Sequence, residues 1–419
     1  MTHKQVIIVG GGPAGLAAAV ALKQKGISDI LILEREPRLG GILNQCIHDG
    51  FGLTRFGENI SGPEYAQKFI TQVKELNIET VTDCTVINIT PDKLVTAVAN
   101  GKFLQLQAQA VLLTMGCRER PRGALAIPGD RPAGVFTAGV AQSYVNLKNT
   151  MVGKNVVILG SGDIGLIMAR RMTLQGAKVL ACVEIMPFSS GLNRNIVQCL
   201  NDYDIPLYLS HTVTDIQGRE RLESVTVAKV DENRRPIPGT EMKFDCDTLL
   251  LSVGLIPENE LSESAGVTMC PATSGPVVSD TFETSVPGIF SCGNVLHVHD
   301  LVDHVSNESF LAGHAAAAFV KSEPESCSFM KVVDGPGVRG TVPQLIHPDP
   351  DSPVTFMFRP SNVFRNSSVV ITCGERELLR RKAMIFTPGE MAAYTLPGEA
   401  LKDLDVSQPI VVRIEKGEN

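Results

Sequence analysis

The chain contains the same glycine-rich pattern twice, and this repeat limits its fold more than any other feature. In residues 4–34 (KQVIIVGGGPAGLAAAVALKQKGISDILILE) a short β-branched run leads into G-x-G-x-x-G. A long Ala/Leu-rich run follows, and a second apolar run then ends in Glu34. Residues 154–184 (KNVVILGSGDIGLIMARRMTLQGAKVLACVE) repeat this plan and end in Glu184. In both copies the acidic residue lies 24 positions after the first glycine. Each copy therefore predicts strand, tight turn, helix, strand and acidic residue.

The three glycines of each copy have separate mechanical roles. The first permits the tight turn, the second lets the backbone approach a pyrophosphate, and the third lets the helix pack against the strand. The helix N-terminus offers unpaired N–H groups and partial positive charge to phosphates, and the acidic residue can accept hydrogen bonds from a ribose. We therefore predict two dinucleotide sites with electron transfer between them. The glycines are Gly10, Gly12 and Gly15 in the first copy and Gly160, Gly162 and Gly165 in the second.

Composition excludes several other classes of protein. The 419 residues predict two to three domains. A net charge of -7, a pI near 5.7 and the absence of Trp argue against a nucleic-acid partner. The apolar stretch 5–22 is interrupted by glycines and Pro13, so we predict neither a membrane span nor a signal peptide. Ten cysteines without any C-x-x-C indicate thiols in a reducing, cytoplasmic compartment.

Four further stretches occur in an informative order: Gly40–Gly41, then VLLTMG (111–116), TLLLSVG (248–254) and TSVPGIFSCGN (284–294). Together with the two glycine turns they resemble flavoproteins of the pyridine nucleotide-disulfide oxidoreductase class, which bind one FAD and one NAD(P). The resemblance implies an α/β fold with two Rossmann-like, three-layer dinucleotide-binding domains, one inserted in the other. It places an FAD domain at 1–121 and 257–325 and an NAD(P) domain at 122–256.

The resemblance also implies which residues contact each cofactor. Asn294 replaces the Asp of the class; because an amide can donate and accept, we expect FAD to be retained with altered hydrogen bonding. Met168 replaces a Glu, so the nicotinamide contacts should differ. Glu184 has no Lys or Arg directly after it, which favours NAD over NADP. The expected FAD residues are Gly10, Gly12, Pro13, Ala14, Gly15, Glu34, Arg35, Gly40, Gly41, Ile42, Val86, Thr114, Gly116, Gly293, Asn294 and Ser306. The expected NAD residues are Gly160, Gly162, Ile164, Gly165 and Glu184, with Gly254 where the chain returns to the FAD domain.

The class's redox dithiol is missing. Its two cysteines correspond here to Leu43 and His48, so a disulfide-reducing dithiol is not expected. Cys46 is close by, and it is either a redox-active thiolate that cycles through sulfenic acid or a small residue packed in a turn. His48 with Asp49 is either a proton relay near the flavin or a loop histidine with a local partner. Cys46 and His48 are therefore the candidate catalytic residues.

A histidine-rich loop follows the third FAD motif and precedes a helix expected from about Ser306 to Val320, whose N-terminus should face the flavin. The loop residues lack a recognised metal-ligand spacing, and we predict no metal. Proton relay, substrate contact and an ordinary polar loop stay open. These residues are His297, His299, Asp300, Asp303 and His304.

The C-terminal part changes character. Residues 321–328 (KSEPESCS) predict a linker, and 330–419 alternate short strand candidates with Pro/Gly turns. We predict a small antiparallel β-sandwich here. It carries no obvious catalytic cluster, so contact with a partner or with another copy of the chain is its expected role.

The expected function is that of an FAD-dependent NAD(P)H oxidoreductase in which the nicotinamide and the flavin face each other. Residues 42–52 (ILNQCIHDGFG) and the histidine-rich loop are similar to the small FAD/NAD-binding subunit of opine and proline dehydrogenases and of hydrogen cyanide synthase. That resemblance implies electron exchange with a second flavoprotein subunit, oxygen or a small acceptor. Two alternatives stay open: a single-cysteine thiol or peroxide reductase using Cys46, and a non-catalytic nucleotide-binding subunit.

Overall fold

The structure is a computed structural model that describes residues 2–322, 328–350 and 352–417. The chain divides into two compact units. One consists of Met1–Cys117 and Pro257–Asn419, and the other of Arg118–Ile256. The second unit is therefore inserted in the sequence of the first. Part of the predicted linker, 323–327, lies outside the described residues.

The first unit is built on a parallel sheet around the N-terminal strand Thr2–Val9. This strand pairs with Ile30–Leu33 on one side and with the long strand Lys102–Leu113 on the other. Glu79–Val81 extends the sheet beyond Ile30–Leu33, and Ile289–Ser291 pairs with the end of Lys102–Leu113. The β-branched run of the first glycine pattern thus forms the centre of the sheet, where both faces are buried.

Side chains of the central strand alternate between two cores. Val6 and Ile8 are fully buried against the helices on one face. Ile7 and Val9 pack instead against an antiparallel hairpin on the other face. The predicted three-layer arrangement is therefore present. The helices are Pro13–Gln24, Gly62–Glu75 and Val302–Lys321, and the hairpin consists of Cys84–Ile89 and Leu94–Ala99, which continues into Lys102–Leu113.

Small residues allow two of these helices to pack closely in the same direction. A Cβ on Gly313 would lie 2.7 Å from the Ala18 carbonyl oxygen, so this contact requires glycine. At the C-terminal ends of both helices, the Lys321 ammonium contacts the carbonyl oxygen of Lys25, which directly follows the first helix. Their N-termini consequently point toward the same edge of the sheet.

The last helix begins earlier than the sequence predicted. It spans Val302–Lys321 rather than about Ser306 to Val320. Asp303 lies in its first turn, where a carboxylate is favourable to the helix dipole. Ser306 is consequently one turn inside the helix and fully buried, with its hydroxyl accepting a 2.8 Å hydrogen bond from Tyr65.

The second unit repeats the same design. The five strands of its main sheet are all parallel, in the order Val135–Thr137, Thr248–Leu251, Asn155–Leu159, Lys178–Glu184, Leu207–Leu209. Val156 and Ile158 pack against helices, whereas Val157 and Leu159 pack against an antiparallel sheet. The helices are Ala138–Leu147, Asp163–Leu174 and Asn193–Cys199, and the antiparallel strands are His211–Gln217, Ser224–Lys229 and Met242–Asp245.

The C-terminal segment forms two sheets around one core, as a sandwich does. The sequence predicted an antiparallel sandwich, but one pair, Met330–Asp334 with Ile410–Lys416, is parallel. The difference arises because the first and last strands of this segment lie side by side and run in the same direction. The five-stranded sheet also contains Leu345–Ile346, Phe364–Cys373 and Arg376–Phe386, and the three-stranded sheet contains Val338–Val342, Val354–Pro360 and Ala392–Leu396.

Shorter elements complete the two units. In the described residues no helix is long and apolar enough to cross a membrane. The remaining helical turns are Gly41–Gln45, Arg122–Leu125, Asn201–Tyr203, Glu260–Ser264, Gly293–Val295 and Gly398–Leu401. The remaining strands are Asp49–Phe51, Ile60–Ser61, Cys117–Glu119, Leu255–Pro257, Met269–Cys270 and Gly275–Pro276.

Candidate functional site

The first glycine turn connects the strand Thr2–Val9 to the helix Pro13–Gln24. Gly10 has φ +111°, and a Cβ on Gly15 would lie only 1.9 Å from the Gly10 carbonyl oxygen. The helix can therefore approach the strand only if position 15 is glycine. By contrast, the nearest atom to a Cβ on Gly12 would be the Gly41 Cα at an ordinary contact distance of 3.9 Å, so the backbone there is not crowded. This arrangement fits a pyrophosphate against the free N–H groups of the helix.

Glu34 closes this turn from the next strand. Its carboxylate accepts hydrogen bonds from the Gly11 N–H at 2.7 Å and the Glu36 N–H at 2.8 Å, and the residue is 5% exposed. On the other side, the Thr114 hydroxyl donates to the Val9 carbonyl oxygen at 2.8 Å. The acidic residue therefore fixes the turn and still carries lone pairs that a ribose can use.

Two more predicted FAD segments lie against the same turn. The Gly40 N–H donates to the Gly11 carbonyl oxygen at 2.8 Å, and a Cβ on Gly41 would lie 3.0 Å from the Gly12 Cα. From the third motif, a Cβ on Gly293 would lie 2.8 Å from the Ala14 Cβ. Three segments that are distant in sequence thus meet at the N-terminus of one helix.

Asn294 holds its own loop in shape. Its side-chain oxygen accepts a 3.0 Å hydrogen bond from the His299 N–H, and its side-chain nitrogen lies 3.5 Å from the Cys117 sulfur. Gly116, with φ +76°, accepts a 3.0 Å hydrogen bond from the Glu258 N–H. This bond joins the segment that leaves the first unit to the segment that returns to it.

Other predicted FAD residues lie further from this meeting point or make no contact that defines a role. Arg35 is exposed directly after the strand, and Ile42 is 61% exposed in a helical turn. Val86 is half-buried in the hairpin that covers the sheet. Pro13 is the first residue of the helix, where its missing N–H costs nothing. Their assignment to FAD stays a prediction.

The second glycine turn has the same arrangement as the first. Gly160 has φ +99°, and a Cβ on Gly165 would lie 2.8 Å from the Gly160 carbonyl oxygen. The Glu184 carboxylate accepts hydrogen bonds from the Ser161 N–H at 2.9 Å and the Met186 N–H at 2.9 Å, and the residue is 6% exposed. The sequence repeat therefore produces two turns, each fixed by hydrogen bonds from two backbone N–H groups to one glutamate, Glu34 or Glu184.

The second turn has features of its own. The Ser161 hydroxyl also donates to Glu184 at 2.7 Å. Asp163 stands at the first helical position, and its carboxylate accepts a 2.8 Å hydrogen bond from the Leu192 N–H and a 2.6 Å bond from the Asn195 amide. A loop after Glu184 is thereby folded onto the turn.

The remaining predicted residues of the second unit lie beside this turn or at its exit. Ile164 is half-buried in the first helical turn, and the atom nearest to a Cβ on Gly162 would be the Ser252 hydroxyl oxygen, 3.5 Å away. Gly254 has φ +102° and accepts a 3.0 Å hydrogen bond from the Arg120 N–H. Ser252 also accepts a 3.0 Å hydrogen bond from the Gly165 N–H. Sequence reasoning missed this serine, although its place after the strand Thr248–Leu251 matches that of Thr114.

Cys46 lies in a half-buried turn, where its thiol donates to the Ile42 carbonyl oxygen at 3.4 Å. Burial raises the pKa of this thiol to about 12. A thiol with so high a pKa carries little thiolate near neutral pH. His48 does not contact the Asp49 carboxylate; its ring Nδ1 lies 3.0 Å from the Asp49 carbonyl oxygen. The geometry thus supports a packed cysteine and a locally bonded histidine more than it supports catalytic roles.

The histidine-rich loop is not an ordinary exposed polar loop. His297 is 4% exposed and His299 is 8% exposed. Both face Glu308 of the last helix, which the motifs of the sequence did not single out. The His297 Nε2 lies 2.6 Å and the His299 Nε2 lies 3.2 Å from the same Glu308 oxygen. The helix brings in Glu308 from eleven residues beyond His297, so no short spacing could reveal the cluster.

Electrostatics within this cluster act in opposite directions. Burial lowers the pKa of His299. Burial alone would raise the pKa of Glu308, but the two neighbouring imidazoles outweigh it and hold that pKa well below the ordinary range. The other Glu308 oxygen accepts a 2.6 Å hydrogen bond from the Gly293 N–H. A charged carboxylate is thus buried directly behind the third FAD motif.

Asp300, Asp303 and His304 do not join this cluster. Asp300 contacts Arg359 of the sandwich and accepts a 2.7 Å hydrogen bond from the Met391 N–H. Asp303 accepts a 2.9 Å hydrogen bond from the Thr54 N–H. The loop consequently joins the flavin-motif segment to the C-terminal sandwich within one unit.

The family follows from a comparison with known sequences. The sequence model of the family described as pyridine nucleotide-disulphide oxidoreductase matches residues 4–317. The chain belongs to this family. Its members are FAD-dependent oxidoreductases in which NAD(P) use is typical. The matched range covers both glycine turns and the third motif, so the resemblance stated from the motifs is confirmed.

Curated relatives of this pyridine nucleotide-disulphide oxidoreductase are similar at low identity. Hydrogen cyanide synthase subunit HcnB of Pseudomonas protegens is 26% identical over 62% of this chain and 58% of its own length. The opine oxidase A subunit of Agrobacterium tumefaciens is 24% identical over 69% of this chain and 60% of its own length. The chain therefore spans about three fifths of these relatives. The small chain of the NADPH-dependent glutamate synthase of Escherichia coli is 25% identical over 72% of this chain and 65% of its own length.

Solved structures confirm the fold. The thioredoxin reductase of T. acidophilum matches with a TM-score of 0.63 and 24% identity, covering 77% of this chain and all of the other. The L-proline dehydrogenase of P. horikoshii matches with a TM-score of 0.56 and 19% identity, covering 77% of this chain and 57% of the other. The predicted α/β class with two dinucleotide-binding domains is therefore correct.

Proposed function

We propose that this chain is an FAD-dependent NADH oxidoreductase that passes electrons onward to a partner flavoprotein subunit, oxygen or a small acceptor. The observation that carries the proposal is the pair of glycine turns, one in each unit, that are hydrogen-bonded to Glu34 and Glu184. When bound, FAD and the nicotinamide supply the redox chemistry by exchanging a hydride. The family assignment supports a flavin, and the motifs support its place in the first unit.

In this proposal the first unit holds FAD through the backbone of its turn. The uncrowded backbone at Gly12 receives the pyrophosphate, and the helix Pro13–Gln24 presents N–H groups to it. Glu34 accepts a hydrogen bond from a ribose hydroxyl and also accepts the one from the Gly11 N–H. Gly41 and Gly293 pack against the same helix end.

NADH is favoured over NADPH in the second unit because of charge. A 2'-phosphate beside Glu184 would meet a buried carboxylate, and no lysine or arginine forms an ion pair with that carboxylate in the fully described unit. Repulsion between the two anions should therefore weaken NADPH binding. A ribose hydroxyl can instead donate to the same carboxylate.

The partner is proposed from the relatives' names and from the C-terminal sandwich. HcnB of hydrogen cyanide synthase and the A chain of opine oxidase are named as subunits of larger enzymes. The sandwich of this chain has an exposed outer strand, Arg376–Phe386, with Met384 at 85% exposure. Such a surface suits contact with another protein chain, either a dehydrogenase subunit or a second copy of this chain.

The decisive experiment is an anaerobic titration of the purified protein. We expect a yellow flavin to copurify and to be bleached by one equivalent of NADH faster than by NADPH. An acceptor screen with oxygen, quinones and an artificial dye then identifies where the electrons go. If bound flavin stays oxidised with both nucleotides, the oxidoreductase proposal is wrong and the non-catalytic alternative replaces it.

A further inference from the structure

Three side chains with metal-ligating atoms meet in the interior of the first unit, behind the third flavin motif. They are His297 and His299 of the loop and Glu308 of the helix Val302–Lys321, and all three are buried. One oxygen of Glu308 faces both imidazoles, at 2.6 Å from His297 Nε2 and 3.2 Å from His299 Nε2. The two rings lie edge to face with centroids 4.3 Å apart.

The carboxylate of this cluster lacks a fixed positive partner. The Glu308 side chain is 1% exposed, and its contacts in the described parts of the chain are the two imidazoles and the Gly293 N–H. Neither lysine nor arginine reaches it in those residues. A buried carboxylate is costly unless a cation or a full set of hydrogen bonds compensates it.

In the residues that the structure describes, the ring nitrogens of His299 also lack hydrogen-bond partners. Its side chain is fully buried, yet among the described residues neither ring nitrogen makes a well-aligned hydrogen bond. Buried polar atoms without a partner are rare in folded proteins and call for an explanation such as an ion. The Nε2 atom lies 3.2 Å from a Glu308 oxygen without being directed for a hydrogen bond to it.

We propose that His297, His299 and Glu308 bind one divalent first-row transition-metal ion, Zn²⁺ or Fe²⁺. Two imidazoles and one carboxylate are a common ligand set for these ions. Ligands about 2.1 Å from a tetrahedral ion lie about 3.4 Å apart. The His299–Glu308 separation of 3.2 Å is close to this value, and the His297–Glu308 separation has to open by roughly 0.8 Å.

Neighbouring groups orient these ligands as an outer shell does. The second Glu308 oxygen is held by the Gly293 N–H at 2.6 Å, and the His299 backbone N–H is held by Asn294 at 3.0 Å. Such partners fix the direction of ligand lone pairs. The ion would therefore tie the loop after Asn294 to the last helix and keep Gly293 against the first glycine turn. This role is structural and does not depend on the proposed hydride transfer.

The test measures the metal directly in the whole 419-residue chain as it purifies, prepared without a polyhistidine tag. Elemental analysis should give about one zinc or iron per chain. After treatment with a chelator and reloading with Co²⁺, a new absorption band should appear beyond the flavin bands. His299→Gln and Glu308→Gln should lower Co²⁺ affinity at least tenfold, and His304→Gln, which changes a neighbouring histidine outside the cluster, should not.

Stability gives a second readout that does not require the variants to be active. Chelation should lower the Tm of the wild-type protein and of His304→Gln, but not that of Glu308→Gln. The proposal is overturned if wild-type protein holds less than about a tenth of an equivalent of metal and takes up no Co²⁺ on reloading. In that case the cluster is a hydrogen-bonded group that holds no ion. Loss of flavin reduction with metal retained would refute the proposed function and leave this site intact.

Discussion

The two glycine turns start from one sequence plan but are closed by different surroundings. In both, an acidic residue at the end of the neighbouring strand accepts the N–H of the residue after the first glycine: Glu34 from Gly11 at 2.7 Å and Glu184 from Ser161 at 2.9 Å. The turn itself is therefore common to the two units. What differs is the chain that covers each one.

The first turn is covered by segments from other parts of the sequence. Gly41 lies against Gly12, and Gly293 lies against Ala14. The second turn is covered by the loop that directly follows its own acidic residue, through the Leu192 N–H bonded to Asp163. Asp163 also puts a negative charge in the first turn of its helix, where the first unit has the neutral Pro13.

This difference suggests how one plan can serve two kinds of ligand. More covering segments require more of the chain to open before a ligand leaves, which suits a retained cofactor such as FAD. A carboxylate in the first turn of the helix weakens the binding of an anion at that helix end, which suits a nucleotide that must exchange after every turnover. Substitutions on one side of this comparison should therefore affect one cofactor and spare the other.

The largest effect is expected when the third glycine of each turn is replaced. Gly15→Ala would put a Cβ 1.9 Å from the Gly10 carbonyl oxygen, whereas Gly165→Ala would put one 2.8 Å from the Gly160 carbonyl oxygen. We expect Gly15→Ala to abolish flavin binding or folding. Gly165→Ala should keep its flavin and be reduced at least tenfold more slowly by NADH. The flavin-to-protein absorbance ratio and anaerobic stopped-flow measure both effects, and flavin loss in Gly165→Ala alone would reverse the assignment of the two units.

Glu184 of the second unit should determine the preference for NADH over NADPH. Glu184→Gln keeps the shape and removes the charge that repels a 2'-phosphate, although its amide can accept only one of the two backbone N–H bonds, from Ser161 and Met186, that the carboxylate accepts. We expect the kcat/KM for NADPH relative to NADH to rise about tenfold, equivalent to about 1.4 kcal/mol. Glu34→Gln in the first unit is the matched control and should leave this ratio unchanged. An unchanged ratio in Glu184→Gln would show that the carboxylate does not select the cofactor.

Sequence reasoning reached the turns because their determinants are local. The strand, the glycines and the acidic residue lie within 31 consecutive residues in each copy, and steric demands at Gly15 leave little alternative. Glu308 was missed because a helix brings it to His297 and His299 from outside any recognised motif. The parallel strand pair of the sandwich was missed for the same reason, since Met330–Asp334 and Ile410–Lys416 are about eighty residues apart and only tertiary packing joins them.

The hydrogen bond between His347 and Asp280 has no counterpart in the second unit, all of whose residues are described, and its contribution to the free energy of unfolding should depend on pH. The hydrogen bond from His347 to Asp280, 2.6 Å long, raises the pKa of that histidine. The folded protein thus binds this proton more tightly than the unfolded chain does. The resulting stability is fully present below the ordinary value of about 6.5 and is lost as the pH rises through the raised value.

His347→Gln should therefore destabilise the protein by about 1 kcal/mol at pH 5.5 and by less at pH 9. Chemical denaturation at the two pH values measures the difference, with Asp280→Asn expected to remove the same pH dependence. Asp280 lies just before the segment that carries the third flavin motif, so flavin retention should fall along with stability. An equal loss of unfolding free energy at both pH values would mean that His347 stabilises the protein by packing and not by its bound proton.

A smaller effect is expected at the charge that distinguishes the second helix. Asp163→Asn keeps an oxygen to accept the Leu192 N–H but removes the negative charge from the helix N-terminus. Because such a charge contributes about 0.3–1 kcal/mol, we expect the KM for NADH to fall about two- to fivefold. The effect should shrink at high salt, since screening weakens it. A higher KM would instead mean that the carboxylate positions the covering loop for binding.

The smallest effect separates the flavin mechanism from a thiol mechanism. Burial raises the pKa of Cys46 to about 12, so a thiolate is scarce near neutral pH. We therefore expect Cys46→Ser to change the rate of flavin reduction and of turnover with the identified acceptor by less than about twofold. Mass spectrometry after peroxide treatment of the wild-type protein and of Cys46→Ser should then show whether peroxide oxidises Cys46. Turnover that disappears in Cys46→Ser while NADH still bleaches the flavin would place the thiol between flavin and acceptor, and the first unit would then hold a second redox group that the second unit lacks.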